Sequence, residues 1–468
     1  MTQPILQEIP FSADSERLFA RLRHLPGAVW LDSGKPRSLQ GRFDIISALP
    51  EITLLHREGK THLFEGAGST REIDGDPFHA AWNLLVEQGL VGNEFHHIPF
   101  TGGLIGYCSY DVGRTLHELP PRPRHNVLPA MHLGWYGWAL IINHSSSKSW
   151  LVSHPACNPD SLRLVREILS AAPDSTRVAD AEFSLQTAFS ADVDKPAYLD
   201  AINRIHDYIR AGDCYQVNYA LRHRARFQGD PWQAYRLLRR ASPSPYSAYL
   251  AWQDCTVLSC SPERFLKVSV GQVETKPIKG TIARGATLQS DQENAICLLN
   301  SKKDRAENLM IVDMLRNDLS RNCAVGSVRV PKLFALESFA NVHHLVSTVT
   351  GTLAPGKNAL DLLRDAFPGG SITGAPKKRA MEIIDELEGV DRGLYCGSIG
   401  YISATGRMDT NIAIRTLMAR DGTLECWGGG GIVADSDPER EYEEALQKVR
   451  NLMRALEHPE SLSDALAH

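Results

Sequence analysis

The sequence predicts an α+β fold, built from antiparallel strands in meanders with helices inserted between them. Three observations carry this. Short apolar runs are repeatedly broken by turn-forming pairs such as Gln253-Asp254, Ser261-Pro262 and Asp421-Gly422. Acidic cap residues followed by proline, Asp230-Pro231 and Asp437-Pro438, open helices between those runs. No glycine-rich loop stands between a strand and a helix with the spacing of a nucleotide-binding βαβ unit, which argues against a doubly wound parallel sheet.

In chain order, Ala28–Leu31, Asp44–Ser47, Ile52–Leu55 and Trp138–Ile142 are expected as strands, and Ser12–Leu22 and Pro77–Glu87 as helices. The polar stretch Ala171–Asp192, with Pro173 and few large apolar residues, is the best boundary. It divides an N-terminal region, residues 1–185, from a second region, residues 186–460. Tyr198, Ile202, Ile205 and Ile209 fall on one face of a helix that stops at Gly212. Strands are expected from Ala248 to Thr281 and one long helical region from Asp291 to Leu319. The segments Ser398–Ser403, Asn411–Leu417 and Thr423–Trp427 read as consecutive antiparallel strands before the C-terminal helix.

Composition narrows the function classes. Fifty basic against 55 acidic residues leave a formal charge of −5, so no general positive field favours nucleic acid or an anionic membrane. No run approaches the roughly 18 apolar residues of a membrane span, and the stretch before Phe19 lacks the basic start and apolar core of a secretory signal. Nine cysteines without CxxC pairs fit reduced structural thiols in a cytoplasmic protein.

Several segments bear chemistry-capable residues, each with a plain structural alternative. Lys279, in Pro277–Thr281, stands where an apolar strand meets a Gly-Thr turn. It is either a solvated strand-end lysine or, if buried, a nucleophilic amine. Asp304 and Glu307, and again Glu441 and Glu444, share a helix face at i, i+3. Each pair is either a solvated salt-bridging face or one half of a clamp for a hard divalent cation. The glycine-rich segments Phe367–Pro376 and Gly428–Gly431 either make tight turns or let backbone approach a ligand. His344 is a structural or catalytic histidine. Arg415, expected in the strand Asn411–Arg415 opposite Ile412 and Ile414, either forks onto a carboxylate or pairs at the sheet surface.

Taken together these strings resemble the chorismate-utilising enzymes. Ser261–Phe265, Pro277–Thr281, Lys303–Asn308, Val342–Ser347, Pro368–Lys377, Cys396–Tyr401 and the glycine run before Ile432–Asp435 occur in the family's order. The resemblance is strong over residues 190–455, and weaker before them through Arg42–Asp44 and Gly102–Leu104. It implies a large α/β sandwich of antiparallel sheets with outer helices, in which both regions share the sheets. It implies Mg²⁺, with Glu307 and Glu444 as direct ligands and Asp304 and Glu441 nearby. Asp304 stands where the family often has glutamate. Gly280, Thr281, Tyr395, Arg415, Gly429, Gly430 and Gly431 match chorismate-binding positions. His344 matches a histidine near the reacting ring, and Glu263 an acid that assists loss of the ring hydroxyl.

Lys279 points to one branch. Lysine there resembles the members that form aminodeoxychorismate for p-aminobenzoate and folate, whereas anthranilate- and isochorismate-forming members usually carry alanine. The resemblance implies a covalent lysine intermediate. With no nucleophilic-cysteine glutaminase motif in the chain, it also implies a separate glutamine amidotransferase subunit that supplies ammonia. Ser33, Arg42, Phe43, Pro245, Tyr246 and Ser247 match an N-terminal tryptophan pocket of some members. The rival readings are an anthranilate synthase component I and a catalytically silent assembly partner.

Overall fold

The computed structural model describes residues 3–38, 41–66, 68–95, 97–120, 128–171, 181–253, 255–339 and 342–460. Two large antiparallel sheets dominate it. Along the first, neighbouring strands are Ile5–Ile9, Lys148–Ser153, Trp138–Asn143, Phe43–Ser47, Val29–Asp32, Tyr246–Ala251, Thr256–Ser261, Thr416–Arg420, Thr423–Ile432 and Gln216–Gln228. Along the second they are Ile278–Ala283, Val342–Thr352, Gln272–Thr275, Arg264–Ser269, Met408–Asn411, Ser398–Ser403, Gly103–Cys108, Met131–Tyr136, Ile52–Arg57, Lys60–Glu65 and Ser69–Ile73.

The alternation of side chains along a strand explains why these sheets stack. Val29, Ile45, Ile141 and Val257 of the first sheet pack with Ile105, Tyr107, Ile399 and Tyr401 of the second in one inner core. Their neighbours Trp30, Ile46, Leu140 and Leu258 face outward and meet Phe19, Trp232 and Leu452 on outer helices. Leu104 and Leu133 of the second sheet likewise turn outward against Phe78, Ile311 and Leu362. The central strands of each sheet are therefore dry on both faces and read as nearly continuous apolar runs. This is the expected sandwich with outer helices.

The two sequence regions interleave in both sheets. Val29–Asp32 pairs with Tyr246–Ala251, and Gly103–Cys108 pairs with Ser398–Ser403. Residues 172–180 of the expected boundary lie outside the described residues. Past them, Ser184–Leu185 and Ser190–Ala191 are short strands on Gln216–Gln228.

Several local expectations need correction. The helical region Asp291–Leu319 is two helices, Leu288–Asn300 and Lys302–Ser320, because Ser301 leaves helical geometry and its hydroxyl caps the Asp304 N–H. Asn411–Leu417 is not one strand. Met408–Asn411 belongs to the second sheet and Thr416–Arg420 to the first, so residues 412–415 are a crossing between sheets. Arg415 sits there at φ 50°, and strand alternation does not set its direction. Lys279 and Gly280 lie inside the strand Ile278–Ala283, at a register shift between Ile278 and Thr281, where a strand end and turn were expected. The hairpin at Asp421-Gly422 forms as expected, with both residues at positive φ and Arg420 opposite Thr423.

Candidate active site

Every catalytic, substrate-binding and metal candidate from the sequence lines one cavity of about 740 Å³. Two crossings between the sheets form its base. One, from Ser261 to Arg264, carries Glu263. The other, residues 412–415, carries Arg415. They are tied by the Ile412 N–H on the Glu263 carbonyl at 3.0 Å and the Cys260 N–H on the Arg415 carbonyl at 3.0 Å. The bulged strand supplies Lys279, Gly280 and Thr281 and pairs with the strand bearing His344. Gly429–Gly431 come from Thr423–Ile432 of the first sheet, extended and paired with Gln216–Gln228.

Gly280 permits a close approach. Its φ is 84°, and a Cβ there would lie 2.9 Å from Asp304 on the helix Lys302–Ser320. Only glycine lets that helix seat its carboxylates beside Lys279.

Lys279 and Glu263 meet through Ser371. The Lys279 ammonium donates to the Ser371 carbonyl at 3.2 Å, and the Ser371 hydroxyl donates to Glu263 Oε1 at 3.3 Å. Solvent reaches Lys279 partly, through the cavity, yet protein encloses its amine, and burial lowers its pKa against the pull of Glu307. Burial raises the Glu263 carboxyl to about 7, although Lys279 opposes the shift. The site thus moves both groups toward their neutral forms. His344 is buried and held at about 3, first by desolvation and then by Arg415. Its Nδ1 is 2.7 Å from the Thr281 hydroxyl. The Arg415 guanidinium, also lowered by burial, has no carboxylate partner among the described residues, so it can accept one from a ligand. Tyr395 stacks on Trp427, ring centroids 5.5 Å apart.

The acidic pairs stand on two helices, Lys302–Ser320 and Pro438–Glu457. Lys303 lies 3.9 Å from Glu307 and 3.4 Å from Glu441, and Lys448 lies 2.8 Å from Glu444. Burial raises the pKa of Glu307, while Lys448 lowers that of Glu444. Among the described residues, no three His, Cys, Asp or Glu side chains are already gathered as a metal-binding cluster. The donor set nevertheless suits a hard cation, since it consists of carboxylate oxygens, for which the Lys303 and Lys448 ammonium groups would compete with a metal. Gly430 leaves room beside it, for a Cβ there would approach Glu441 Oε2 to 3.2 Å and Glu444 Oε1 to 3.9 Å.

None of the six tryptophan-pocket candidates lines this cavity. They collect at one end of the first sheet, where Ser247 pairs with Asp32 and Tyr246 with Ser261. The Arg42 guanidinium lies 4.7 Å from the Phe43 ring, the Ser247 hydroxyl donates to the Ser244 carbonyl, and the buried Ser33 hydroxyl has no partner among the described residues.

Sequence reasoning missed Ser371, Lys303, Lys448 and Gln216. The first three sit in or beside quoted motifs, and Lys448 stands four residues after Glu444, an ion-pair spacing that was legible. Gln216 is fully buried against Gly431 with neither carboxamide atom partnered among the described residues. Its sequence context, between Tyr215 and Val217, gave no sign of that.

Comparison with known proteins follows the same line. Residues 28–454 match the model of the chorismate binding enzyme family. Aminodeoxychorismate synthase component 1 of Salmonella typhimurium is 44% identical over 457 residues, covering 97% of this chain and 99% of the relative. Anthranilate synthase component 1 of Acetivibrio thermocellus is 34% identical, covering 97% of this chain and 95% of the relative. The crystal structure of anthranilate synthase component I from Streptococcus pneumoniae superposes with a TM-score of 0.77 at 32% identity, covering 89% of this chain and 93% of that one.

Proposed function

The chain belongs to the chorismate-binding enzymes, and we propose that it aminates chorismate to 4-amino-4-deoxychorismate, a precursor of p-aminobenzoate and folate. Its full-length identity to aminodeoxychorismate synthase component 1, higher than to an anthranilate synthase, supports this branch. The observation that carries the mechanism is Lys279, enclosed in the cavity and joined through Ser371 to Glu263, whose carboxyl burial raises to about 7.

The neutral Lys279 amine attacks carbon 2 of chorismate, and the ring double bonds shift as the carbon 4–oxygen bond breaks. Glu263 donates its proton to the departing hydroxyl, which leaves as water. Ammonia then attacks carbon 4, the double bonds shift back, and the carbon 2–nitrogen bond to Lys279 breaks. The ammonium group formed at carbon 4 returns a proton to the Glu263 carboxylate, Lys279 leaves as the neutral amine, and the enolpyruvyl group stays intact. Arg415 forks onto a substrate carboxylate, and neutral His344, fixed by Thr281, contacts the ring without adding charge. Glu307 and Glu444, with Asp304 and Glu441 beside them, would hold Mg²⁺. Bound there, the metal supplies positive charge opposite the ring carboxylate.

Ammonia comes from glutamine through a separate amidotransferase subunit, in keeping with the relatives' description as component 1. The chain works in the cytoplasm. All nine cysteines are unpaired, as a reducing compartment keeps them, and no described helix is long and apolar enough to cross a membrane.

The test is product analysis with chorismate, Mg²⁺ and ammonium. Aminodeoxychorismate should form without a partner, glutamine alone should support no turnover, and quenched protein should carry a chorismate-derived adduct on Lys279 that Lys279→Ala lacks. Anthranilate and pyruvate as main products, or wild-type turnover by Lys279→Ala, would overturn the reading.

A further inference from the structure

Beneath the cavity floor, Arg392 and Glu388 form an ion pair whose side chains are each only 1% exposed. Arg392 Nη2 donates to Glu388 Oε1 at 2.7 Å and Nε to Oε2 at 2.8 Å. The guanidinium's other donors reach the Asn218 carbonyl at 2.7 Å and the Ile372 carbonyl at 3.1 Å. Glu388 Oε1 also accepts the Ala220 N–H at 2.9 Å. The Tyr395 ring lies 5.6 Å from the guanidinium, and its N–H donates to the Arg392 carbonyl at 3.2 Å. One pair therefore fastens three segments that line the cavity, those of Asn218, Ser371 and Tyr395.

Packing alone does not account for this. Burying two charges costs so much desolvation that apolar side chains of similar volume usually hold a core at least as well. What they cannot do is orient carbonyls. Ser371 and Ile372 are successive residues of one 3₁₀ turn, Gly370–Ile372. Arg392 grips the Ile372 carbonyl, while the Ser371 carbonyl and hydroxyl hold Lys279 and Glu263. Rotation of that turn would move the nucleophile and the acid relative to each other.

We propose that Arg392 and Glu388 are positioning residues for the amination, setting the Ser371 turn that registers Lys279 against Glu263. This rests on the functional reading above. The experiment compares Arg392→Lys and Glu388→Gln with Arg23→Met, which breaks a mostly buried pair with Asp230, neither residue being among those that line the cavity. Two properties are read: ammonium-dependent kcat and KM for chorismate, and the pH midpoint of Lys279 labelling by acetic anhydride, mapped by mass spectrometry without substrate. Loss of register should lower kcat roughly 10²-fold with KM little changed. It should also move the labelling midpoint upward, because a loosened turn admits water to the amine. Arg23→Met should lower Tm and move neither readout. If the single variants do not fold, the double substitution Arg392→Met with Glu388→Leu removes both charges together and gives the same readouts. Variants that lose only Tm, with wild-type kcat per folded molecule and an unmoved midpoint, would overturn the proposal. Failure of the wild type to make aminodeoxychorismate would instead reject the functional reading, and the substrate-free midpoint would still decide the positioning claim.

Discussion

Glu263 ties pH, stability and chemistry together at one side chain. Its carboxyl titrates at about 7 in the folded protein against an ordinary value of 4.5, so the folded state keeps its proton to higher pH than the unfolded state does. The folded pKa is raised, so this carboxyl's contribution falls as pH climbs from about 4.5 through 7 and stays low above. A shift of this size corresponds to about 3 kcal/mol. Glu263→Gln mimics the protonated form. It should therefore raise Tm at pH 8, change it little at pH 4, and slow formation of the Lys279 adduct. The mutant should also lose the fall in adduct formation that the wild type shows as Glu263 ionises. Calorimetry at the two pH values and rapid-quench mass spectrometry check this, and a lower Tm at pH 8 would refute it. Such perturbation was not legible in the sequence. Ser261–Phe265 and Pro277–Thr281 were visible as strings, but enclosure of Glu263 and Lys279 arises from a sheet crossing and a strand bulge brought together by Ser371, over a hundred residues from the acid.

At the scale of elements, spacing was informative and facing was not. The i, i+3 pairs Asp304/Glu307 and Glu441/Glu444 followed from helical periodicity, and Asp437 does cap its helix through the Arg440 N–H at 3.0 Å. That the two helices stand across one cavity is a tertiary fact that no local period encodes. The break at Ser301 was missed because apolar and helix-forming residues continue through it, although its hydroxyl is a good cap. The crossing at 412–415 was missed because its apolar residues imitate a strand. The helices carry a testable consequence. Glu307→Gln and Glu444→Gln should each diminish the rise in Tm that Mg²⁺ gives the wild type, since a ligand stabilises only the state that binds it. Substitution of the exposed Glu293 should leave that rise intact. An undiminished Mg²⁺ shift in both cavity variants would mean that the carboxylates serve only the lysines beside them.

For the whole molecule, interleaving of the two sequence regions matters more than the polar stretch between them. Composition pointed to a boundary near residue 185 because turn-rich polar sequence commonly separates folding units. The sheets ignore that boundary. Without residues before 171, Tyr246–Ala251 would lose Val29–Asp32, and Ser398–Ser403 would lose Gly103–Cys108. Each loss bares a central strand edge whose side chains are apolar on both faces, a template for aggregation. The inner core would be opened as well, since Ile105, Tyr107 and Ile141 come from the first region while Val257, Ile399 and Tyr401 come from the second. Fragments 1–171 and 181–468, produced separately, should therefore be insoluble or lack a cooperative transition. Produced together they should associate, because the missing strands are complementary and the pairing is antiparallel and local in space. The reassembled pair should melt in one transition, bind Mg²⁺ and aminate chorismate, since every cavity residue lies after position 181 but the sheets that place them need both pieces. A C-terminal fragment that folds alone with a cooperative melt and wild-type turnover would show that the second region is an autonomous domain after all, with the N-terminal strands only a cover.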